Sequence, residues 1–436
     1  MDNIRTAIFL PVKGSSERIK SKNMKLLDGK PIFLHTLEKI ANMQIFDEVW
    51  LDTESDQIIE AATHVNCKVM KRDPELATNK TDGHQLFLNE VKHTDADIVL
   101  QILGTSPFIS EDTITRTVQV LIENPQHDSA VLVQRAKQYT WINERPAYNF
   151  ENIPNSKDLP ETIIESMGLY AVRREVALET GKRIGNKPYL IDASPLDAID
   201  VNWPADFELA NLIAAGKRER ERNLFQNLCA QLSTAMLSDV MDDLGISENQ
   251  LVFGLISNQE NGRLFARAKT LRLRAIKEGE DFTGIYEALQ SYATIIPNDV
   301  IVVENEVPDC AYFGELNANL AVRCGAAGAI IGGTTRDNEQ VKRLNFQTFS
   351  TGYVGRDVRK RAVVDTINQP ISLMGVTVNP GDLIFADSEG VAVIPQQYEK
   401  AVLDEMLKRL KNERNILLTI AEGGDIQELV NSFGFF

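Results

Sequence analysis

Between residues 7 and 133, short β-branched runs alternate with longer stretches in which apolar residues recur every three or four positions. Residues 7–12, 48–52, 67–70, 97–103 and 129–133 are predicted strands, and 31–43, 55–64, 82–93 and 111–123 predicted helices. That βαβ rhythm implies a Rossmann-like, doubly wound, mostly parallel sheet with helices on both faces. Ligands on such sheets bind beyond the carboxyl ends of the strands, so the loop after Val12 is the first place to look. From Pro204 the pattern becomes one long helix. Its charged run, 217–222, holds no core-forming residue and reads as a solvated helix face, which puts a domain boundary near Arg222 and divides 1–222 from 223–436. The second part is richer in glycine and short β runs (299–304, 327–331, 371–378, 390–394) and closes on an amphipathic helix over about 397–422.

The 436 residues are too many for one ordinary core, which agrees with two domains. With 43% hydrophobic and 25% charged residues the chain is globular. A net charge of −16 argues against nucleic acid as a partner, because phosphate backbones need a basic field. A local pocket of Lys, Arg and backbone N–H groups can still hold a triphosphate. The apolar stretch near the N-terminus ends by Val12 and follows Asp2, unlike a signal peptide, and no run approaches the roughly 20 apolar residues of a membrane span. Cys67, Cys229, Cys310 and Cys324 are scattered, with no metal spacing, and read as reduced thiols of a cytoplasmic protein. All five histidines lie in the first third, so chemistry in the second half must use carboxylates, Arg, Lys or a metal.

The loop 11–23 combines Gly14, Ser15 and Ser16 with Lys13, Arg18, Lys20 and Lys22. Small residues let backbone N–H groups approach a polyphosphate, and flanking cations offset its charge. The spacing fits neither a dinucleotide fingerprint nor a Walker loop, and a solvated basic loop is the competing reading. The loop and the following KLLDGKPIFLHTLEKI resemble the opening of the cytidylyltransferases that activate acidic sugars, the sialic acid and Kdo synthetases. RDPELATNKTD, LGTSPF, ESMGLYAVRR and AIDVNWPADFELAN continue the likeness in order. The resemblance implies a nucleotidyltransferase-like fold in which Asn23 reads the cytosine edge, Arg18 and Lys22 hold the phosphates of CTP, and Asp200 binds Mg²⁺. Four positions depart from that family: Lys13, Glu17, Leu103 and Asn202. Glu17 brings a negative charge to a phosphate site, and Asn202 offers a neutral oxygen where a carboxylate would bind a cation better. Gln101, two residues before Leu103 and on the same strand face, is expected to deputise for the missing Gln.

The second half resembles the family of the regulator of ribonuclease E activity A and the 4-hydroxy-4-methyl-2-oxoglutarate aldolases. LSTAMLSDVMDDLG, NDVIVVENE, GELNANLAVRCGAAGAIIGGTTRD and GVTVNPGDLIFADSEGVAVIP carry the likeness. From the residues alone, Gly314 ends a loop and ELNANLAVRCG forms a helix whose first N–H groups could receive a carboxylate. The resemblance adds an α/β domain of the swivelling β/β/α type and a class II pyruvate aldolase site. In it Asp337 ligates Mg²⁺ or Mn²⁺, Arg336 polarises the ketone of a 2-oxo acid, and Glu315 orients a water for proton transfer. The Leu316 and Asn317 N–H groups hold the substrate carboxylate. A carboxylate from a neighbouring subunit, with Glu413 as candidate, implies a trimer or hexamer through this domain. Gly332 stands where many members have Asp. The other Arg–Asp dipeptides, Arg72 with Asp73 and Arg356 with Asp357, read as exposed ion pairs.

Sugar acids activated by such cytidylyltransferases are 3-deoxy-2-oxo acids, formally aldol adducts of pyruvate. A bifunctional enzyme acting on one compound class, a small 2-oxo sugar acid together with CTP, is therefore the expected function. The alternative is a regulatory protein that keeps both folds and acts through protein contact.

Overall fold

In a computed structural model of the protein, residues 4–78, 80–246 and 250–421 are described. The chain forms two compact units that meet at Ala214 and Ala215, inside the helix Pro204–Cys229. The expected division at Arg222 falls in the same helix, which runs on without a break.

The first unit is built on a seven-stranded sheet in the spatial order Pro188–Asp192, Ser129–Ala136, Thr162–Arg173, Ile98–Ile102, Thr6–Pro11, Glu48–Thr53, Lys68–Lys71. All neighbours are parallel except Thr162–Arg173, which runs against both of its partners. Ala7, Ile8, Phe9 and Leu10 are wholly buried, as a central strand covered on both faces requires. Pro31 opens the helix Ile32–Asn42, which buries Ile32, Phe33, Leu34, Leu37 and Ile40 along one stripe. A reciprocal cap between Asp82 and Gln85 starts Gly83–Val91, and the Ser110 hydroxyl accepts from the Thr113 N–H at the start of Glu111–Glu123. The strand Thr162–Arg173 was not expected. Its first residues are mostly exposed and carry no buried alternation, and only its second half is enclosed between two strands.

One expectation is corrected here. Arg72 is not an exposed partner of Asp73. Its side chain is 3% exposed, and its Nε lies 2.8 Å from Oδ1 of a fully buried Asp52. The Arg72 guanidinium also donates to the Asp52 carbonyl, and it lies 3.9 Å from Glu54. Glu90 is buried beside this pair and shares a hydrogen bond with Asp52. Burial, then the charge of Asp52, holds the Glu90 carboxyl well above the usual range. A raised carboxyl pKa stabilises the fold fully below the unfolded-state value of about 4.3, and that contribution is lost as pH rises through the folded value. Glu90→Gln keeps a donor toward Asp52 and an acceptor for the Gln101 amide, 2.7 Å away. The expected result is an unfolding temperature that falls less than that of the parent as pH rises above about 5. An unchanged pH profile would mean that Glu90 is ionised in the folded protein.

The histidines of this unit serve the fold. His35 bonds the Leu27 carbonyl at 2.7 Å and is pushed down to about 4, mainly by burial, and His64 pairs with Glu38. All four cysteines are unpaired thiols, and burial pushes Cys67 up to about 11.

The second unit has a mixed sheet in the order Leu251–Val252, Val391–Ile394, Leu383–Ala386, Leu264–Ala275, Asp299–Asn305, Gly328–Gly332, Gln347–Ser350, Ile256–Ser257, with Ala362–Ile367 also paired to Leu264–Ala275. Leu264–Ala275, Asp299–Asn305, Gly328–Gly332 and Gln347–Ser350 form its parallel centre. Four charged residues, Arg267, Lys269, Arg272 and Arg274, hide the strand Leu264–Ala275 from a hydrophobic-pattern reading. Their charges are met in the fold. Arg267 pairs with Glu221 and Glu399, so the run 217–222 is not simply a solvated face. Residues 371–378 are a hairpin of Ile371–Leu373 and Val376–Val378, not one strand, because Met374 and Gly375 both adopt positive φ, as a tight primed turn demands. The last helix is Glu399–Ala421, and the side chain of Glu413 lies outside the described residues. Among the described residues no helix is long and apolar enough to cross a membrane.

Candidate functional sites

In the first unit the carboxyl ends of Thr6–Pro11 and Ile98–Ile102 border a cavity of about 300 Å³. Pro11, Lys13, Ser15, Ser16, Glu17, Arg18, Lys22, Asn23, Leu103, Gly104 and Thr105 line it. Three cations thus stand against one carboxylate, a local field that suits a polyphosphate despite the acidic chain. Asn23 is buried and donates through Nδ2 to the Lys13 carbonyl at 2.8 Å, which ties the two ends of the loop together. The Arg18 guanidinium lies 5.3 Å from the centre of the Trp203 ring. Gly14 is not among the lining residues. Its N–H donates to Glu54 at 2.7 Å, and a Cβ there would sit 2.8 Å from that of Ser55, so this glycine serves close packing of the loop.

Lys22 donates to the Val201 carbonyl at 2.9 Å and lies 3.4 Å from Asn202 Oδ1. Burial lowers its amine, while Asp200 acts in the opposite direction. Asn202 in turn donates to Asp200 at 2.5 Å, and Ser106 donates to the other Asp200 oxygen at 3.3 Å. The amide at 202 therefore satisfies Asp200 where a carboxylate would repel it. Gln101 does not deputise at the cavity. It is 1% exposed and donates to Glu90, because the burial of Glu90 demands a partner. Sequence reasoning missed Arg183, which stacks 3.9 Å from the Tyr170 ring centre and donates to the Tyr170 hydroxyl at 3.1 Å. That hydroxyl donates to Glu165 at 2.6 Å. Glu165 and Tyr170 lie in the ESMGLYAVRR stretch on the antiparallel strand, whereas Arg183 lies outside the stretches that carry the family likeness and reaches Tyr170 only in the fold.

In the second unit a short bridge pairs Phe313 with Thr335, and the Arg336 N–H donates to the Phe313 carbonyl at 3.0 Å. The segment ending at Gly314 and the turn after Gly328–Gly332 therefore run side by side. A Cβ on Gly314 would lie 2.5 Å from Asp337 Oδ2 and 3.0 Å from Arg336 Cγ, so a larger residue there would push the Asp337 carboxylate aside. Asp337, at φ 54°, accepts the first N–H of the helix Glu315–Cys324 at 3.2 Å. The Leu316 and Asn317 N–H groups have no acceptor among the described residues, and Leu316 is 77% exposed. The Asn317 amide turns back to the Tyr312 carbonyl at 2.8 Å. The Glu315 carboxylate is exposed and makes no hydrogen bond or ion pair among the described residues. At Gly332 a Cβ would lie 3.0 Å from the Val303 carbonyl oxygen, which accounts for glycine there. Among the described residues no group of three or more His, Cys, Asp or Glu is placed to hold a metal ion.

The chain thus combines two α/β units, one with a cationic loop cavity on a parallel sheet and one with an Arg–Asp turn packed on a glycine. Residues 7–168 match the Cytidylyltransferase family model, and residues 234–393 match the Aldolase/RraA model. The chain belongs to the RraA-like aldolase family through its second half, and its first half is similar to the cytidylyltransferases. A putative 4-hydroxy-4-methyl-2-oxoglutarate aldolase of Halalkalibacterium halodurans is 32% identical over 180 residues, 41% of this chain and 80% of that protein. A 3-deoxy-manno-octulosonate cytidylyltransferase of Christiangramia forsetii is 28% identical over 242 residues, 47% of this chain and 95% of that one. Protein DlpA of Legionella pneumophila is 30% identical over 213 residues, 48% of this chain, which spans only 34% of its length.

Proposed function

We propose that the chain is a bifunctional enzyme of 2-oxo sugar acids. Its second unit makes or cleaves an aldol adduct of pyruvate, and its first transfers CMP from CTP to the sugar acid. The observation that carries this reading is the packing of Arg336 and Asp337 on Gly314, beside the open N–H groups of Leu316 and Asn317.

In the cleavage direction the hydroxyl at C4 loses its proton, the C3–C4 bond breaks, and the pyruvate enolate takes a proton at C3. The Leu316 and Asn317 N–H groups would receive the substrate carboxylate, as helix starts do. Arg336 would donate to the 2-oxo oxygen, where negative charge grows as the bond breaks. Glu315, exposed beside the turn, would orient the water that moves the proton. One Asp337 oxygen takes the Glu315 N–H, and the other accepts no hydrogen bond among the described residues, so it suits a hard cation that keeps most of its waters. Mg²⁺ or Mn²⁺ held by Asp337 would supply Lewis-acid stabilisation of the enolate.

In the first unit Lys13, Arg18 and Lys22 would neutralise the triphosphate, Ser15 and Asn23 would orient the nucleotide, and Asp200 would hold the cation. The anomeric hydroxyl loses its proton to solvent as its oxygen bonds to the α-phosphorus, the bond to the β-phosphate bridge breaks, and pyrophosphate leaves. Such transfer needs alignment and charge neutralisation more than covalent help. As in related families, an oligomer through the second unit would complete the aldol site.

The test is incubation of the full chain with Mg²⁺ and a panel of 2-oxo sugar acids, with pyruvate release followed enzymatically and pyrophosphate measured once CTP is added. Both products should appear for one substrate class. Silence in both assays across the panel would leave the regulatory alternative standing.

A further inference from the structure

Asp357, expected from the sequence to pair with its neighbour Arg356, instead places its carboxylate beside the proposed catalytic guanidinium of Arg336. The Asp357 backbone forms a bridge with Ala311, the Ala311 N–H donates to the Arg356 carbonyl at 2.7 Å, and the Val358 N–H donates to the Ala311 carbonyl at 3.1 Å. This fixes the segment alongside the stretch that leads to Gly314. Asp357 Oδ1 accepts the Arg359 N–H at 2.6 Å, which orients the carboxylate. Oδ2 then stands 2.7 Å from Arg336 Nη1. On the other side of the same guanidinium, Asp337 Oδ2 lies 3.5 Å from Nε.

Arg336 is therefore flanked by two carboxylates, and the reaction proposed above uses only Asp337. Arg336 and Asp357 are 37% and 36% exposed, so a ligand can reach both. A fixed negative charge in contact with the guanidinium cancels much of its attraction for a further anion. It leaves intact the directional N–H donation that polarises a carbonyl oxygen. A ligand whose 2-oxo oxygen meets Arg336 brings its remaining chain close to Asp357. A neutral, hydroxylated chain can accept that neighbour, whereas a second carboxylate meets a like charge.

We propose that Asp357 is a specificity-determining residue, which positions Arg336 and selects 2-oxo acids with an uncharged tail over those with a second carboxylate. The proposal rests on the reading of Arg336 as the partner of the 2-oxo oxygen, and it narrows the substrate class to sugar-type acids. Like charges a few ångströms apart at a half-exposed site cost on the order of tenfold in affinity.

The probes are 2-oxobutyrate and 2-oxoglutarate, which share a head and differ in tail charge, titrated calorimetrically into the Mg²⁺-loaded full chain. The parent protein should prefer 2-oxobutyrate. Asp357→Asn keeps an acceptor for the Arg359 N–H and should shift the ratio of dissociation constants about tenfold toward 2-oxoglutarate. Asp357→Glu should keep the parental preference. Where the Asn variant melts early, Asp357→Ser offers the same comparison with a smaller neutral acceptor. Binding of both acids with an unchanged ratio in the neutral variants overturns the role of Asp357 alone. Binding of neither acid by the parent overturns the reading of Arg336, and this proposal with it.

Discussion

Arg336→Ala is expected to lower pyruvate release roughly 10²–10³-fold in kcat while the protein stays folded. The expected loss is large because Arg336 is the one cation in contact with Asp337 among the described ion pairs, and it would meet charge that exists only as the C3–C4 bond breaks. Stability should hardly change. Both ion pairs of Arg336 are more than a third exposed, and such pairs contribute about 0–1 kcal/mol. Arg336→Lys should recover little, since an ammonium is a point charge and cannot span from Asp337 to Asp357 as the planar fork does. The measurements are kcat with a coupled pyruvate assay and a thermal melt of each variant. Full activity in Arg336→Ala would remove the aldol reading of the second unit.

Arg72→Leu should do the reverse and act on the fold. Its partner Asp52 is fully buried, Glu54 lies within 3.9 Å and Glu90 is buried beside them. Removing the cation leaves buried carboxylate uncompensated, and such losses cost about 3–5 kcal/mol. The double variant Arg72→Leu/Asp52→Leu should recover part of that, because a buried ion pair replaced by apolar groups is often neutral. Chemical denaturation checks both, read on the first unit's own transition because a two-unit chain need not unfold in one step. CTP binding should weaken as well, since Glu54 is the acceptor that anchors the Gly14 N–H in the loop. A single variant as stable as the parent would show that the Asp52 charge is met by another group.

The predicted first-half strands and helices appear within a few residues of their expected bounds, because their apolar periodicity is what a sheet covered on both faces requires. Two of the strands that escaped notice did so for a physical reason. Leu264–Ala275 carries four cations, and Thr162–Arg173 begins in residues that are mostly exposed. Their identity as strands depends on distant neighbours such as Glu221, Glu399 and Ser129–Ala136. Arg72 is the same case in reverse, since beside Asp73 it reads as an exposed pair and only the strand Glu48–Thr53 supplies Asp52 to bury it. The helical start at Glu315 was legible from local spacing, and the roles expected of Arg336 and Asp337 came from the family likeness. That Gly314 admits both side chains, that Asn202 bridges Lys22 and Asp200, and that Asp357 reaches Arg336 were legible from neither.

By itself the sequence determined the two-part organisation, the α/β class of each half, the cationic loop and the two family likenesses, because these rest on local pattern and on motifs contiguous in the chain. Only the tertiary structure decided which charges meet. Coulomb and hydrogen-bond energies depend on separations of a few ångströms, and residues far apart in the chain acquire those separations only when the sheets close.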